Sequence, residues 1–271
     1  MTEKKKQTKE KGFSKRENIN DSEKTKVPII KKKIVKDSFK KVKIPTDIEG
    51  FDEITNGGLE KNTSNLLVGD AGSGKTIFAM EFLINGIKRK ESCLYITFEE
   101  EKMSFYNNMR EFGWDLSKLE KEGNFFFLHY NPKKVKTMLE EGGGIIENIV
   151  LKNKINRIVI DSVTSFVVLF EKEIEKREAV LSLFNMLKKW NCTTMLTYEG
   201  DPLKKALDSK IMEFEADSIT FLYFLRMEKE RMRFLEVIKM RGSKHSKSVY
   251  PFSIDKGIII GRKPFIGNLR V

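Results

Sequence analysis

Cysteine is almost absent: the 271 residues hold two, Cys93 and Cys192, both inside apolar, strand-like segments. That excludes a disulfide scaffold and a zinc module built on cysteine pairs. It predicts a reducing, cytoplasmic setting. Histidine is as scarce, with His129 and His245 alone, too few for a histidine-rich metal centre. No run of about 18 apolar residues occurs, so no membrane-spanning helix is expected. The N-terminus lacks the apolar core of a secretory signal. Hydrophobic residues make up 39% of the chain, below the ~45–50% usual for soluble domains on a count that also includes Gly, and this deficit is concentrated at one end.

Charge shows where. The whole chain carries 51 Lys and Arg against 39 Asp and Glu, a net of +12. Residues 1–43 hold 16 basic and 6 acidic residues, a net of +10, leaving 35 and 33 in residues 44–271. A uniformly basic, histone-like protein is excluded. The sequence predicts a basic, disordered N-terminal arm over 1–43 that cannot fold alone, and one domain over 44–271 large enough to bury a core. Apolar residues return among the lysines from Val27 to Ile44, as a linker packing on the body or as a basic amphipathic helix. A nucleic acid or an acidic partner, if there is one, is expected at this arm.

The body alternates between two periods. Asn65–Gly69, Cys93–Phe98, Asn124–Leu128, Arg157–Ile160 and Thr193–Tyr198 read as strands. Thr76–Ile87, Lys102–Phe112, Gly143–Lys152 and Glu171–Trp190 read as helices. Alternation of this kind predicts an α/β fold: a mostly parallel twisted sheet flanked by helices. Near the end, Ile219–Met227 and Arg231–Lys239 flank Glu228-Lys229-Glu230, which predicts an antiparallel C-terminal β-hairpin.

Gly69-Asp70-Ala71-Gly72-Ser73-Gly74-Lys75-Thr76 satisfies G-x-x-x-x-G-K-[ST], with a strand before it and a helix after it. Glycines let backbone N–H groups turn inward around phosphates. The helix start adds the positive end of its dipole. Lys75 supplies a point charge for the β- and γ-phosphates, and the Thr76 hydroxyl a ligand for Mg²⁺. Asp161 closes the apolar strand Arg157–Ile160, where a second acidic group for Mg²⁺ belongs. Glu99 and Glu100 follow the strand Cys93–Phe98. If that strand neighbours Asn65–Gly69, they stand beside the phosphate loop, where a carboxylate can orient water. The same glutamates also suit a helix N-terminus.

These segments together resemble the KaiC-like branch of the RecA-superfamily ATPases. The likeness runs from Gly50-Phe51-Asp52-Glu53-Ile54 and Gly57-Gly58-Leu59, through the phosphate loop, to Leu94-Tyr95-Ile96-Thr97-Phe98-Glu99-Glu100. It continues in Phe112-Gly113-Trp114-Asp115-Leu116, Lys239-Met240-Arg241-Gly242-Ser243-Lys244-His245 and Tyr250-Pro251-Phe252-Ser253-Ile254. The resemblance implies a RecA-like core that binds ATP between subunits of a homo-oligomeric ring, usually a hexamer. It implies that Glu99 and Glu100 are the catalytic carboxylates and that Lys239 and Arg241 act in trans on the neighbour's γ-phosphate. It also implies that His245 faces the nucleotide, and that the protein is regulatory or signal-transducing.

The sequence departs from that pattern in places. The family's phosphorylating domain has a Ser-Thr pair where Glu213 and Phe214 stand here, so self-phosphorylation is not expected. There is one copy of the core, where the clock protein of the family has two. Asn62 takes a position where relatives carry glycine, and Asn tolerates a left-handed backbone. Two other readings share the fold. One is a DNA-binding recombinase or recombination mediator, although Tyr198-Glu199 stands where recombinases show Asn-Gln. The other is a nucleotide-dependent assembly switch with little turnover.

Overall fold

The computed structural model describes residues 42–130, 144–204 and 210–269. The basic arm lies outside these but for its last two residues, as does the first residue of the helix expected from Gly143. Among the described residues, a nine-stranded sheet organises the body. Its strands are β3 (Ser64–Gly69), β4 (Cys93–Thr97), β5 (Phe125–His129), β6 (Arg157–Asp161), β7 (Thr193–Glu199), β8 (Ser218–Met227), β9 (Glu230–Met240), β10 (Val249–Ile254) and β11 (Ile258–Ile260). Their order across the sheet is β11-β10-β9-β8-β3-β7-β6-β4-β5. From β8 to β5 the strands run parallel, and β9, β10 and β11 continue antiparallel. A small antiparallel pair, β1 (Lys43–Ile44) with β2 (Leu59–Glu60), precedes the sheet.

The central strands are largely buried because both faces are covered, as is usual for a parallel sheet. All six residues of β3 are buried, as are the first four of β6. One face carries α1 (Phe51–Ile54), α2 (Lys75–Lys88), α3 (Lys102–Arg110) and α4 (Leu116–Lys121), packed through Phe51, Phe78, Phe82, Phe105 and Leu116. The other carries α5 (Gly144–Lys152), α6 (Val163–Val167), α7 (Glu173–Trp190) and α8 (Lys210–Glu215), packed through Val150, Phe166, Val180, Phe184 and Met212.

The C-terminal hairpin forms as expected, with Met227 opposite Glu230, so the turn is the two residues Glu228-Lys229. The long helix expected from Glu171 starts at Glu173, and a short helix at Val163–Val167 precedes it. Asn62 has φ 60°, the left-handed backbone its side chain permits. The adjacency posed as a condition for Glu99 and Glu100 is not met. β4 does not neighbour β3: β7 and β6 stand between them. Strand order in a parallel sheet is set by crossover connections, which leave no local mark on the strand itself.

Candidate functional site

The C-terminal ends of β3, β4, β6 and β7 lie together at one edge of the sheet, where open α/β sheets bind ligands. β3 delivers the phosphate loop. Gly74 has φ 100°, a conformation open to glycine, and it turns the chain directly into α2. No side chain caps α2, so its first N–H groups face outward for an anion. The Lys75 ammonium donates to the carbonyls of Gly69 (2.8 Å) and Asp70 (3.0 Å). Burial pulls its pKa below the ordinary lysine value, with Glu199, Asp161, Asp70 and Glu99 opposing.

Asp161 ends β6 facing α2. The Thr76 hydroxyl donates to its Oδ2 at 2.8 Å, so the two oxygens expected to hold Mg²⁺ are in contact. The donor set fits that ion, which takes one or two carboxylates plus phosphate oxygens rather than an all-protein cage. Among the described residues, no group of three or more His, Cys, Asp or Glu is placed to hold a metal by itself. Two further hydroxyls reach Asp161: Tyr95 from β4 to Oδ2 (2.7 Å) and Thr197 from β7 to Oδ1. Burial, with Asp161 adding to it, holds the Tyr95 phenol well above its ordinary pKa, so it stays a donor.

Although β4 is three strands from β3, its glutamates still reach the site, because β4 pairs directly with β6. Thr97 stands opposite Asp161 in that pairing. The Thr97 hydroxyl accepts the N–H groups of Glu99 (3.2 Å) and Glu100 (3.3 Å), which turns the chain where the strand ends. Glu99 Oε1 accepts from Ser162 (2.9 Å), just before α6, and from Ser165 within it. Burial raises the Glu100 carboxyl above its ordinary range, with Asp161 and Glu99 adding to the shift. Four acids, Glu199, Asp161, Asp70 and Glu99, thus act on the charge of one lysine.

A cavity of about 600 Å³ opens beside the loop, lined by Gly72, Lys75, Thr76, Phe112, Arg233 and Ile254. Arg233, on β9, donates from Nε (3.2 Å) and Nη2 (3.0 Å) to the Gly72 carbonyl and stacks on Phe224. The hairpin therefore braces the phosphate loop. Sequence reading missed Arg233, Thr197, Ser162, Ser165 and Glu199 as members of this cluster, and treated Tyr95 only as part of a strand. Their signal is the strand register, which depends on which strands become neighbours.

Lys239, Arg241 and His245 lie elsewhere. Lys239 pairs with Ile219, which is level with Leu66 near the start of β3, whereas the phosphate loop follows Gly69 at its end. The three residue steps from Leu66 to Gly69 place Lys239 roughly 10 Å back along the strand direction. Its ammonium donates to the Glu213 carbonyl (2.8 Å), and Arg241 donates to the Phe214 carbonyl, both at the end of α8. His245 Nδ1 donates to the Ser246 carbonyl (2.8 Å) and lines a separate cavity of about 700 Å³ with Glu49 and Tyr250. The fold does not bring these three to their own phosphate loop.

A parallel sheet with this loop, a Thr–Asp contact and an acidic strand end defines a P-loop nucleotide-binding protein of RecA-like fold. The comparisons narrow it. The family described as "ATPase: KaiC" matches residues 44–264. The circadian clock oscillator protein KaiC of Synechococcus elongatus is 37% identical over 227 residues, covering 80% of this chain and 44% of its own length. The circadian clock protein KaiC3 of Synechocystis is 34% identical over 228 residues, covering 80% and 45%. A KaiC-like protein from the hyperthermophilic archaeon Pyrococcus horikoshii superposes with a TM-score of 0.73 at 32% identity, over 82% of this chain and all of that one. The chain belongs to the KaiC ATPase family. It spans under half the length of the two clock proteins.

Proposed function

We propose that this protein hydrolyses ATP with Mg²⁺, at sites completed between subunits of a homo-oligomeric ring of hexamer type. The observation that carries the proposal is a division along the strands. The phosphate loop, Thr76, Asp161 and the glutamates occupy one end, while Lys239 and Arg241 stand at the other, bonded to α8. Cations so placed serve a γ-phosphate only if it belongs to another copy. Binding falls to the loop from Gly69 to Thr76, which offers backbone N–H groups and the Lys75 charge. Thr76 and Asp161 hold the metal, which when bound neutralises charge on the β- and γ-phosphates.

Glu99 orients the attacking water, with Glu100 beside it. The two serine hydroxyls on Glu99 Oε1 hold the carboxylate in place, leaving Oε2 for the water. Arg241 and Lys239 of the neighbouring copy stabilise charge in phosphoryl transfer, a contribution of up to ~10³–10⁵-fold where cations are supplied in trans. His245 is assigned, with them, to face the neighbour's nucleotide. Autokinase activity is not part of the reading, because Glu213 and Phe214 offer no hydroxyl to phosphorylate. Coupling of turnover to assembly suits a regulatory or signal-transducing role.

Sedimentation with and without ATP and Mg²⁺, together with phosphate release, tests the proposal. Assembly on ATP with steady phosphate release is expected. A chain that stays monomeric under all conditions overturns the trans site, and assembly without phosphate release overturns hydrolysis in favour of a switch.

A further inference from the structure

β6 presents Asp161 at its end, and the strands on both sides of it reach that carboxylate. Register puts Tyr95 opposite Val159 and Thr97 opposite Asp161 in the β4–β6 pair, and Ile160 opposite Leu196 in the β6–β7 pair. Side chains alternate along a strand, so Tyr95, Asp161 and Thr197 share the face that carries α2. Tyr95 is buried to 1% exposure, its ring stacked on Phe105 (centroids 4.4 Å apart) and parallel to Phe127 (5.8 Å). Its hydroxyl extends along the strand and donates to Asp161 Oδ2 at 2.7 Å.

A carboxylate has about four lone-pair sites. Three on Asp161 are met by hydroxyls: Tyr95 and Thr76 at Oδ2, Thr197 at Oδ1. Thr76 is itself a metal ligand in the reading above. Tyr95 and Thr197 stand on strands and fix the carboxylate plane from two sides. The aromatic stack needs only the ring, which phenylalanine would supply equally. The hydroxyl is therefore the part that serves Asp161.

We propose that Tyr95 is a positioning residue: its hydroxyl holds the Asp161 carboxylate in the orientation that receives the divalent cation, and so sets the site's affinity for that cation. The inference rests on the nucleotide–metal reading of the site. Partners that orient a metal ligand from behind typically contribute 10–100-fold in metal affinity.

The test uses the full chain and a fluorescent ATP analogue, bound first in EDTA and then across a Mg²⁺ titration. Bound Mn²⁺ is counted in parallel by electron paramagnetic resonance. For Tyr95→Phe, affinity in EDTA is expected to stay within about twofold, while the Mg²⁺ midpoint and Mn²⁺ dissociation constant rise about tenfold or more. Phe127→Leu loosens the stack and keeps the hydroxyl; it is expected to melt earlier with the Mg²⁺ midpoint unchanged. A Tyr95→Phe midpoint within about twofold of wild type overturns the inference while leaving the parent reading intact. So does an equal midpoint shift in Phe127→Leu. A metal-free Tyr95→Phe protein that is unfolded or strongly destabilised assigns the hydroxyl a structural role and also overturns it. Wild-type protein whose nucleotide binding ignores Mg²⁺ overturns the parent reading, and this inference with it.

Discussion

Arg157 begins β6, the strand that ends in Asp161, and its side chain is fully buried. Its guanidinium pairs with the Glu91 carboxylate, donates to the carbonyls of Phe82 (2.9 Å) and Pro45 (3.0 Å), and lies over the Phe82 ring at 4.7 Å. It ties the entry of the domain, α2 and the start of β6 together. Gly86 makes the room, since a Cβ there would stand 2.7 Å from the arginine Cδ. Arg157→Met keeps most of the stem and removes every polar bond. Taking one partner from a buried ion pair costs about 3–5 kcal/mol. Glu91 keeps 25% of its side-chain surface in water, which places the cost near the lower end. For a domain of this size, that loss corresponds to a melting temperature lower by about 6–12 °C. Arg157→Lys is expected to recover little, because a point charge cannot reach three acceptors as a planar fork does. Arg89→Met removes an ion pair with Asp47 whose partners are 45% and 39% exposed, and serves as the surface comparison. Differential scanning calorimetry in metal-free buffer reads all three. Equal shifts for Arg157→Met and Arg89→Met would refute the assignment of Arg157 as the buried tie.

Further outcomes follow from the site and its surroundings. Lys75→Ala is expected to abolish ATP binding by calorimetric titration with little change in melting temperature, since its bonds are to carbonyls of its own loop; retained micromolar affinity would contradict this. Glu99→Gln should keep ATP binding and lose at least about tenfold in phosphate release, and Ser165→Ala should lower release in the same direction by less. Glu81 is pushed above its ordinary value of 4.5 by burial, partly opposed by the Ile258 N–H it accepts at 2.6 Å. With the folded pKa above the unfolded one, its contribution is fully present below pH 4.5 and is lost as pH rises through the raised value. On going from pH 4 to pH 7 the urea midpoint should therefore fall further, or rise less, in wild type than in Glu81→Gln, and an equal change in the two would count against the burial argument.

The phosphate loop was legible because its chemistry is local: glycines at fixed spacing, then Lys75 and Thr76, between an apolar run and a helical one. Asp161 was legible for the same reason, as the acid closing Arg157–Ile160. The hairpin of β8 and β9 announced itself through two β-rich runs around a charged turn. Other features depend on which strands become neighbours. Nothing within Cys93–Phe98 states that β6, rather than β3, lies beside it, so the route by which Glu99 reaches the site came only with the fold. Tyr95 read as one more core residue until register set its hydroxyl against Asp161. Arg233 sits in a run of charged and apolar residues, and its hold on Gly72 requires β9 to pass the loop. β10 carries Pro251, which weakens a strand signal, and β1, β2 and β11 are too short to show a period.

The central claim is that one copy's phosphate loop works with another copy's cations, and mixing two inactive variants tests it most directly. Glu99→Gln lacks the water-orienting carboxylate but keeps Arg241, whereas Arg241→Ala keeps the carboxylate and lacks the cation. If each site draws on two copies, an equal mixture assembled with ATP and Mg²⁺ recovers phosphate release to about one quarter of wild type, through sites that combine the intact halves. If each copy is complete in itself, the mixture releases phosphate no faster than the average of the two variants measured alone.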